Sequence, residues 1–225
     1  IPQREGNELC SSIDDLSALR IPEVREWVYR YLSGRSSLLN AAMKNARYYQ
    51  PLVVETFGSC SNLPTELTDL PVLERAYNSY ARSHAGALGL WQFMPETGRG
   101  LKLNSDPWQD QRRNLVLSTQ AAASHLDFLH NKYQSWEFAL AAYNCGSGKM
   151  DRIIKDNPGM DYWELVKNGK LPWETSHYVQ KFAAASCIIQ NSEIFGYRGP
   201  DFDRYEVEFF IFKYPVSITA LSESS

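Results

Sequence analysis

Several features that mark other classes of protein are missing from this 225-residue chain. No run of about 18–20 apolar residues occurs, so the sequence predicts no membrane-spanning helix. There is no Lys/Arg-rich block and the net charge is only -3, which argues against nucleic acid as a partner. There is no CxxC pair, and His125 and His130 have poor spacing for a metal pair, so neither a zinc site nor a redox motif is indicated.

Cysteine is scarce as well, with four residues at positions 10, 60, 145 and 187. In an oxidising compartment they could form two disulfides, but their spacing assigns no pairing. Cys145 and Cys187 lie in apolar helical segments, and this context favours buried free thiols. Residues 1–20 are polar and without periodicity, so we expect either a loose or a docked arm there and no signal peptide.

What the chain does have is enough apolar sequence, at 44% of residues, for one sizeable core. Apolar residues at helical spacing predict a mainly α protein, with a 3.6-residue period in most segments. Helices are expected over 22–32, about 36–57, 119–133 with Ser118 as cap, 136–144, 149–155, 162–167 and 174–191. A shorter helical stretch is expected over 88–97, and alternating apolar residues over 205–212 predict a strand near the C-terminus.

A single carboxyl group in an apolar segment is the strongest chemical feature. Glu74 lies among Pro71, Val72, Leu73, Ala76 and Tyr77, where partial burial would favour its neutral form and suit it to proton donation. Gln92, Tyr143 and Asn144 offer amide and hydroxyl groups that suit an amino sugar. Each residue also has an ordinary interpretation: a solvated helix glutamate, a core tyrosine, an asparagine helix cap.

Five segments of the chain, taken together and in order, resemble family 1 lytic transglycosylases, which carry the SLT domain. They are LPTELTDLPVLERAY, GALGLWQFMPETGRGLKL, STQAAASHLDFL, AAYNCGSGKM and LPWETSHYVQKF. The resemblance covers about residues 62–191. It implies a lysozyme-like fold of the goose-type lysozyme kind, with an N-terminal arm and helices over 1–61, a catalytic domain over 62–196 and a C-terminal extension with a short β segment over 197–225.

The resemblance also implies site residues. Glu74 matches the lone catalytic acid and base, Gln92 lies in a motif that lines the glycan site, and Tyr178 matches a tyrosine that faces the acid. Tyr143 and Asn144 match the family's Ala-Tyr-Asn motif. Further candidates for substrate binding near these motifs are Ser83, Trp91 and Met94.

The implied reaction is non-hydrolytic cleavage of the bond between N-acetylmuramic acid and N-acetylglucosamine in peptidoglycan. Glu74 protonates the bridging oxygen and then accepts the proton of the muramic acid C6 hydroxyl, which attacks C1 and leaves a 1,6-anhydro end. The resemblance implies peptidoglycan strands as the partner, a periplasmic location, membrane anchoring of the precursor as one possibility, and no cofactor or metal.

Three positions depart from the family pattern. Arg75 follows the acid where serine is usual, Tyr77-Asn78-Ser79 replaces Phe-Asn-Pro, and Cys145 replaces a small residue. A cation close to Glu74 would favour the ionised carboxylate, whereas an outward-pointing Arg75 could bind glycan or peptide stem. Two alternatives to the transglycosylase therefore stay open: a hydrolytic lysozyme on the same scaffold, and a glycan-binding or scaffold module of the cell envelope without turnover.

Overall fold

The computed structural model describes residues 17–35, 37–60 and 63–195, and within these ranges nine α-helices make up most of the chain. In chain order they are α1 Pro22–Arg30, α2 Ser37–Cys60, α3 Leu70–Arg75, α4 Pro95–Gly100, α5 Leu115–Tyr133, α6 Trp136–Cys145, α7 Ser147–Asp156, α8 Tyr162–Lys167 and α9 Trp173–Gln190. Short 3-10 segments precede α1, α3 and α5, and a π-helical segment joins α1 to α2. The prediction of a mainly α protein is confirmed.

The core is centred on α6, which packs against both α5 and α9. Alanine on these helices allows such neighbours to approach closely. Ala121–Ala123 on α5, Ala139–Ala142 on α6 and Ala183–Ala185 on α9 all lie inside the core. The N-terminal helices pack onto this centre, α1 against α9 and α2 against α5. The proposed boundaries at 61 and 196 remain predictions, and residues 197–225 with the expected strand lie outside the described residues.

Most predicted helices are confirmed to within a few residues, because their apolar stripes are the faces that the core buries. On α1, for example, Val24 and Val28 are buried and Pro22 occupies the first turn. In α2 the stripe of Leu39, Ala42 and Ala46 is buried. No helix in the described part of the chain combines the length and apolarity that a membrane crossing needs.

Two helix boundaries were predicted wrongly. The long helix α5 starts at Leu115, and Asn114 is its cap, because the Asn114 side chain accepts a hydrogen bond from the Leu117 N–H at 2.9 Å. Ser118, the expected cap, is buried inside the helix. The stretch 88–97 is not helical before Pro95, since Gly89 and Gln92 have positive φ values that a right-handed helix cannot contain.

Candidate active site

Glu74 lies in the last turn of the short helix α3, and the chain after it is held in an unusual conformation. Ala76 and Tyr77 both adopt left-handed φ values, 55° and 57°, which end the helix at once. The buried Tyr77 hydroxyl donates to the Thr68 carbonyl, and the Asn45 side chain donates to the Ala76 carbonyl at 2.8 Å. These contacts fix the position of Glu74 relative to the core.

The Glu74 side chain is partly buried and faces a cleft of about 360 Å³. The Tyr178 hydroxyl, on α9, donates a hydrogen bond to its Oε1 at 2.5 Å. Burial raises the pKa of Glu74 to about 7, against the opposing effect of the Tyr178 hydrogen bond; the negative charge of Glu174 adds to the increase. At neutral pH the group is therefore divided between acid and carboxylate, as a residue that both gives and takes a proton requires.

Arg75, the departure from the family pattern beside the acid, does not reverse this increase. Its side chain is exposed, and it is not among the residues that line the cleft. Its charge lowers the Glu74 pKa, but this is the smallest of the four causes that act on the group. The pKa of Glu74 is therefore raised even though arginine stands where the family usually has serine.

Four of the expected substrate-binding residues line the Glu74 cleft. They are Gln92, Met94, Tyr143 and Asn144; Phe93, Thr97 and His125 lie beside them. Tyr178 joins the group through its hydrogen bond to Glu74. The chain thus brings together residues from α3, the loop before α4, α6 and α9.

The Gln92 side chain is oriented by its own backbone loop. Its Nε2 donates to the Gly89 carbonyl at 2.7 Å and to the Ala81 carbonyl at 3.2 Å. The amide nitrogen is thereby engaged, and the amide oxygen is the acceptor that Gln92 can offer to a ligand hydroxyl or N–H group.

Tyr143 is anchored on both sides. Its hydroxyl donates to the Trp91 carbonyl at 2.9 Å, and its ring lies 5.7 Å from the ring of His125 and 6.1 Å from that of Phe93. Burial lowers the pKa of His125, so its imidazole is held neutral in this aromatic cluster. The cluster therefore forms an apolar wall with a rigidly placed tyrosine.

Asn144 belongs to α6 itself and does not cap it, since the C-cap residue is Gly146. Its Oδ1 accepts a hydrogen bond at 2.9 Å from the Oγ1 of the buried Thr175 on α9. The interaction ties α6 to the helix that carries Tyr178 and engages the Asn144 amide oxygen.

Two expected site residues do not line the cleft: the prediction is wrong for the Trp91 side chain, whereas substrate binding by Ser83 stays a prediction. Trp91 is completely buried, stacks on Phe57 and donates from its indole to Thr119 at 3.0 Å, so its side chain belongs to the core. Ser83 is not among the lining residues of the cleft; its Oγ accepts from the Ala87 N–H at 2.9 Å and closes a loop. Both residues lie near Gln92 in the sequence, but their side chains make contacts outside the cleft.

Arg112 is a residue that sequence reasoning missed. It is paired with Asp110, with Nη2 to Oδ2 at 2.7 Å, and both side chains are mostly buried. Its Nη1 donates to the carbonyls of Gly86 at 3.0 Å and Phe93 at 2.9 Å. Arg112 thus holds both ends of the loop that carries Gln92, and no local pattern in the sequence announces such a long-range contact.

The cysteine prediction is confirmed in part. Among the described residues Cys145 and Cys187 are free thiols, but only Cys187 is buried, while Cys145 is half-buried at the end of α6. Cys10 and the Cys60 side chain lie outside the described part. Within that part, no group of three or more His, Cys, Asp or Glu residues is placed to hold a metal ion.

Comparison with known proteins gives a consistent family. Residues 59–166 match the family model of the transglycosylase SLT domain. The membrane-bound lytic murein transglycosylase D of Escherichia coli (strain K12) is 35% identical over 204 residues, which are 87% of this chain and 44% of that protein. The membrane-bound lytic murein transglycosylase C of Histophilus somni (strain 2336) is 28% identical over 131 residues, 52% of this chain and 36% of that protein.

A solved structure of an inactive mutant of the lytic transglycosylase Slt from Pseudomonas aeruginosa matches with a TM-score of 0.47 and 22% identity, over 75% of this chain and 25% of that chain. The present chain therefore spans less than half the length of these relatives.

Proposed function

Because the chain belongs to the transglycosylase SLT domain family, we propose that it cleaves the β-1,4 bond between N-acetylmuramic acid and N-acetylglucosamine in peptidoglycan without using water. The observation that carries the proposal is the setting of Glu74. It is the sole carboxyl side chain among the described residues that line the cleft, it is partly buried, and its pKa is raised to about 7. A glycosidase of the usual kind needs two carboxyl groups at the scissile bond.

In the first step the protonated Glu74 gives its proton to the oxygen that leaves C1 of muramic acid. Its pKa supports this role, because a substantial part of the population is protonated at neutral pH. The C1–O bond breaks as the proton arrives, and positive charge develops at C1 and the ring oxygen.

In the second step the Glu74 carboxylate accepts the proton of the C6 hydroxyl while that oxygen bonds to C1. The ring closes to a 1,6-anhydro sugar, Glu74 is again protonated, and no atom is gained or lost overall. The Tyr178 hydroxyl supports the carboxylate stage, since it already donates to Oε1 at 2.5 Å.

The other cleft residues are proposed to bind the sugars. Gln92 offers its amide oxygen and Asn144 its amide nitrogen to hydroxyl and N-acetyl groups, and Met94, which is 36% exposed, offers apolar contact. Tyr143 is proposed to position the substrate against the aromatic wall. Trp91 contributes through its carbonyl, which fixes the Tyr143 hydroxyl.

The proposed location is the periplasm, with peptidoglycan as the partner. Support comes from the family and from relatives that are named membrane-bound murein transglycosylases. Membrane anchoring is part of this proposal, because both relatives are named membrane-bound.

The proposal is tested by digesting purified sacculi and identifying the released sugars by mass spectrometry. We expect 1,6-anhydro ends from the wild type and none from Glu74→Gln, which keeps the shape of the side chain but cannot donate a proton. Glu96→Gln, on an exposed side chain of α4, serves as the matched control and should keep full activity. Reducing ends would indicate hydrolysis, and no release by the wild type at any pH would indicate a binding module; either result would reject the proposal.

A further inference from the structure

A second cavity of about 650 Å³ lies on the other side of the loop that carries Gln92. Met94 and Thr97 line the Glu74 cleft, whereas Pro95, between them in the chain, lines the second cavity. Consecutive Cα atoms are about 3.8 Å apart, so a single stretch of backbone forms the wall between the two spaces. The two spaces therefore adjoin the same segment of the chain.

The second cavity is lined by cationic groups that lack ion-pair partners. Arg82 and Arg113 both line it, both are exposed, and neither forms a salt bridge within the described chain. The third arginine there, Arg112, is neutralised by Asp110. The remaining acid, Asp106, accepts from the backbone N–H groups of Trp108 at 2.7 Å and Gln109 at 2.9 Å and keeps its negative charge. The three arginines of the lining therefore outnumber its two aspartates by one.

An exposed aromatic side chain lies at the same cavity. Trp108 lines it and is 94% exposed, while its backbone is held by Asp106. The loop around it is closed by hydrogen bonds from the Gln111 N–H to the Asn104 carbonyl at 2.9 Å and from the Asn104 N–H to the Gln111 side chain at 2.8 Å. A large apolar ring on a braced loop, next to unpaired cations, is typical of a ligand-binding surface.

We propose that this second cavity binds the stem peptide of the peptidoglycan strand whose sugars occupy the Glu74 cleft. The inference rests on the proposed function and names a second part of the same substrate. The sugars of the strand carry no charge that could pair with Arg82 and Arg113, whereas the stem peptide carries carboxylates. Guanidinium groups bind carboxylates in a bidentate manner, and Trp108 offers a face to the apolar parts of the peptide.

The length of the peptide suits the arrangement. A stem peptide starts at the muramic acid unit, and each extended residue spans about 3.3–3.6 Å. A peptide attached to a sugar beside Glu74 therefore crosses the wall formed by Met94 and Pro95 within its first residues. Its carboxylates then reach the side of the loop where the two arginines lie.

The test compares two substrates prepared from the same sacculi: intact glycan strands, and strands from which an amidase has removed the stem peptides. For Arg82→Gln/Arg113→Gln we expect kcat/KM on intact strands to fall about tenfold, the usual effect of losing charge-assisted hydrogen bonds of this strength. Amidase action leaves a lactyl carboxylate on each muramic acid, but this group stays on the sugar in the Glu74 cleft. On stripped strands the rate of the double variant should therefore equal that of the wild type. Arg20→Gln/Arg25→Gln, which removes two exposed positive charges near α1, is the matched control and should behave as wild type on both substrates.

Equal rates for wild type and Arg82→Gln/Arg113→Gln on intact strands, or an equal loss on both substrates, would overturn the inference. If the wild type cleaves neither substrate, the proposed function has failed, and the cavity is then judged by binding alone. Titration of the amidase-released stem peptide into the wild type and the double variant needs no turnover. Binding by the wild type that the double variant loses supports the cavity assignment, and absence of binding to the wild type rejects it.

Discussion

Carboxyl groups in this chain behave differently according to what surrounds them, and this decides which of them can act as an acid. Burial raises the pKa of Glu74 to about 7 and that of Asp69 also to about 7. The exposed Asp106 is different: hydrogen bonds from backbone N–H groups hold its pKa below the usual range. The hydrogen bond from the Arg112 side chain likewise holds the pKa of Asp110 below the usual range. Burial thus raises the pKa of a carboxyl group at two positions, and hydrogen bonds lower it at two others.

The Tyr178 hydroxyl should lower the pH at which activity decreases on the alkaline side of the pH-rate profile. It stabilises the ionised form of Glu74, so Tyr178→Phe should raise the Glu74 pKa and move the alkaline limb of the pH-rate profile to higher pH. The maximum rate should fall, by about tenfold or more, because the carboxylate stage loses a donor. The measurement is the rate of anhydro-sugar release between pH 5 and 9.

Tyr162→Phe is the control for that experiment. The Tyr162 hydroxyl is buried too and donates to the Ser176 carbonyl at 3.0 Å, but it does not line the cleft. This change should lower stability and leave the pH-rate profile in place. A shift of the Tyr178→Phe limb to lower pH would contradict the assigned role.

At the scale of elements, the loop 86–93 connects the fold to the site. Helical hydrogen bonds do not stabilise this loop. Instead, Arg112 donates hydrogen bonds to the Gly86 and Phe93 carbonyls. Gly89 allows the close approach this needs, since a Cβ atom there would lie 2.1 Å from the Arg112 carbonyl oxygen. Loop and arginine therefore depend on each other.

Gly89→Ala should be among the most damaging single-methyl changes in the chain. Its φ of 78° disfavours any side chain, and the clash is with backbone that cannot rotate away. We expect a loss of about 3 kcal/mol or more in the free energy of unfolding, measured by urea denaturation, with loss of activity. Gly169→Ala separates the two causes, because Gly169 has a φ of 63° with open space around it and should lose only about 1 kcal/mol.

Removing the Arg112 guanidinium should destabilise the protein and loosen the site. Arg112→Met leaves Asp110 as an uncompensated, mostly buried charge, for which about 3–5 kcal/mol of unfolding free energy is the expected loss. Arg99→Met breaks a pair whose side chains are 73% and 75% exposed and should change stability by less than about 1 kcal/mol. Comparable losses in the two variants would show that the Arg112 contacts do not support the loop.

At the scale of the whole molecule, two buried carboxyl groups join α3 and its preceding 3-10 turn to α9. Glu74 accepts from Tyr178, and Asp69 accepts through Oδ2 from Ser186 at 2.8 Å and Gln190 at 3.2 Å. The Asp69 Oδ1 has no hydrogen-bond partner. All three donors lie on α9. They hold the segment that carries Asp69 and Glu74 against this helix.

The free energy of unfolding should therefore decrease as the pH rises from about 4 to above 7. The folded chain keeps protons on Glu74 and Asp69 up to a pKa of about 7, whereas the unfolded chain loses them near 4.5 and 3.8. Below the lower pKa values these two groups contribute their full stabilisation to the free energy of unfolding. The contribution is lost as the pH rises through the upper values, and its size is about 1.4 kcal/mol for each unit of pKa difference. Urea denaturation at pH 4.5, 6 and 8 measures it.

Asp69→Asn/Glu74→Gln tests the source of this dependence, because neither substituted amide titrates. The double variant should be more stable than the wild type at pH 8, and its stability should vary less between pH 4.5 and 8. A wild-type stability that rises over this interval would contradict the prediction.

Much of the molecule follows from local pattern. The stripe on α1, the proline at its first turn and the alanine-rich faces of α5, α6 and α9 are readable in sequence, since a helix buries the residues that recur with its own period. The family was also readable, and the prediction is confirmed by the SLT domain match and by 35% identity to the Escherichia coli transglycosylase D. The segment 88–94 was not readable, because its shape follows from left-handed residues and from Arg112.

The sequence by itself determined the helices, the family and the identity of the candidate acid, because each is encoded in residues close together along the chain. Only the tertiary structure decided that Trp91 packs in the core, that Arg75 points to solvent, and that Tyr178, 104 positions after Glu74, donates to its carboxyl group. The physical reason is that the pKa and accessibility of a side chain depend on atoms that surround it in space, and folding brings those atoms from distant parts of the chain.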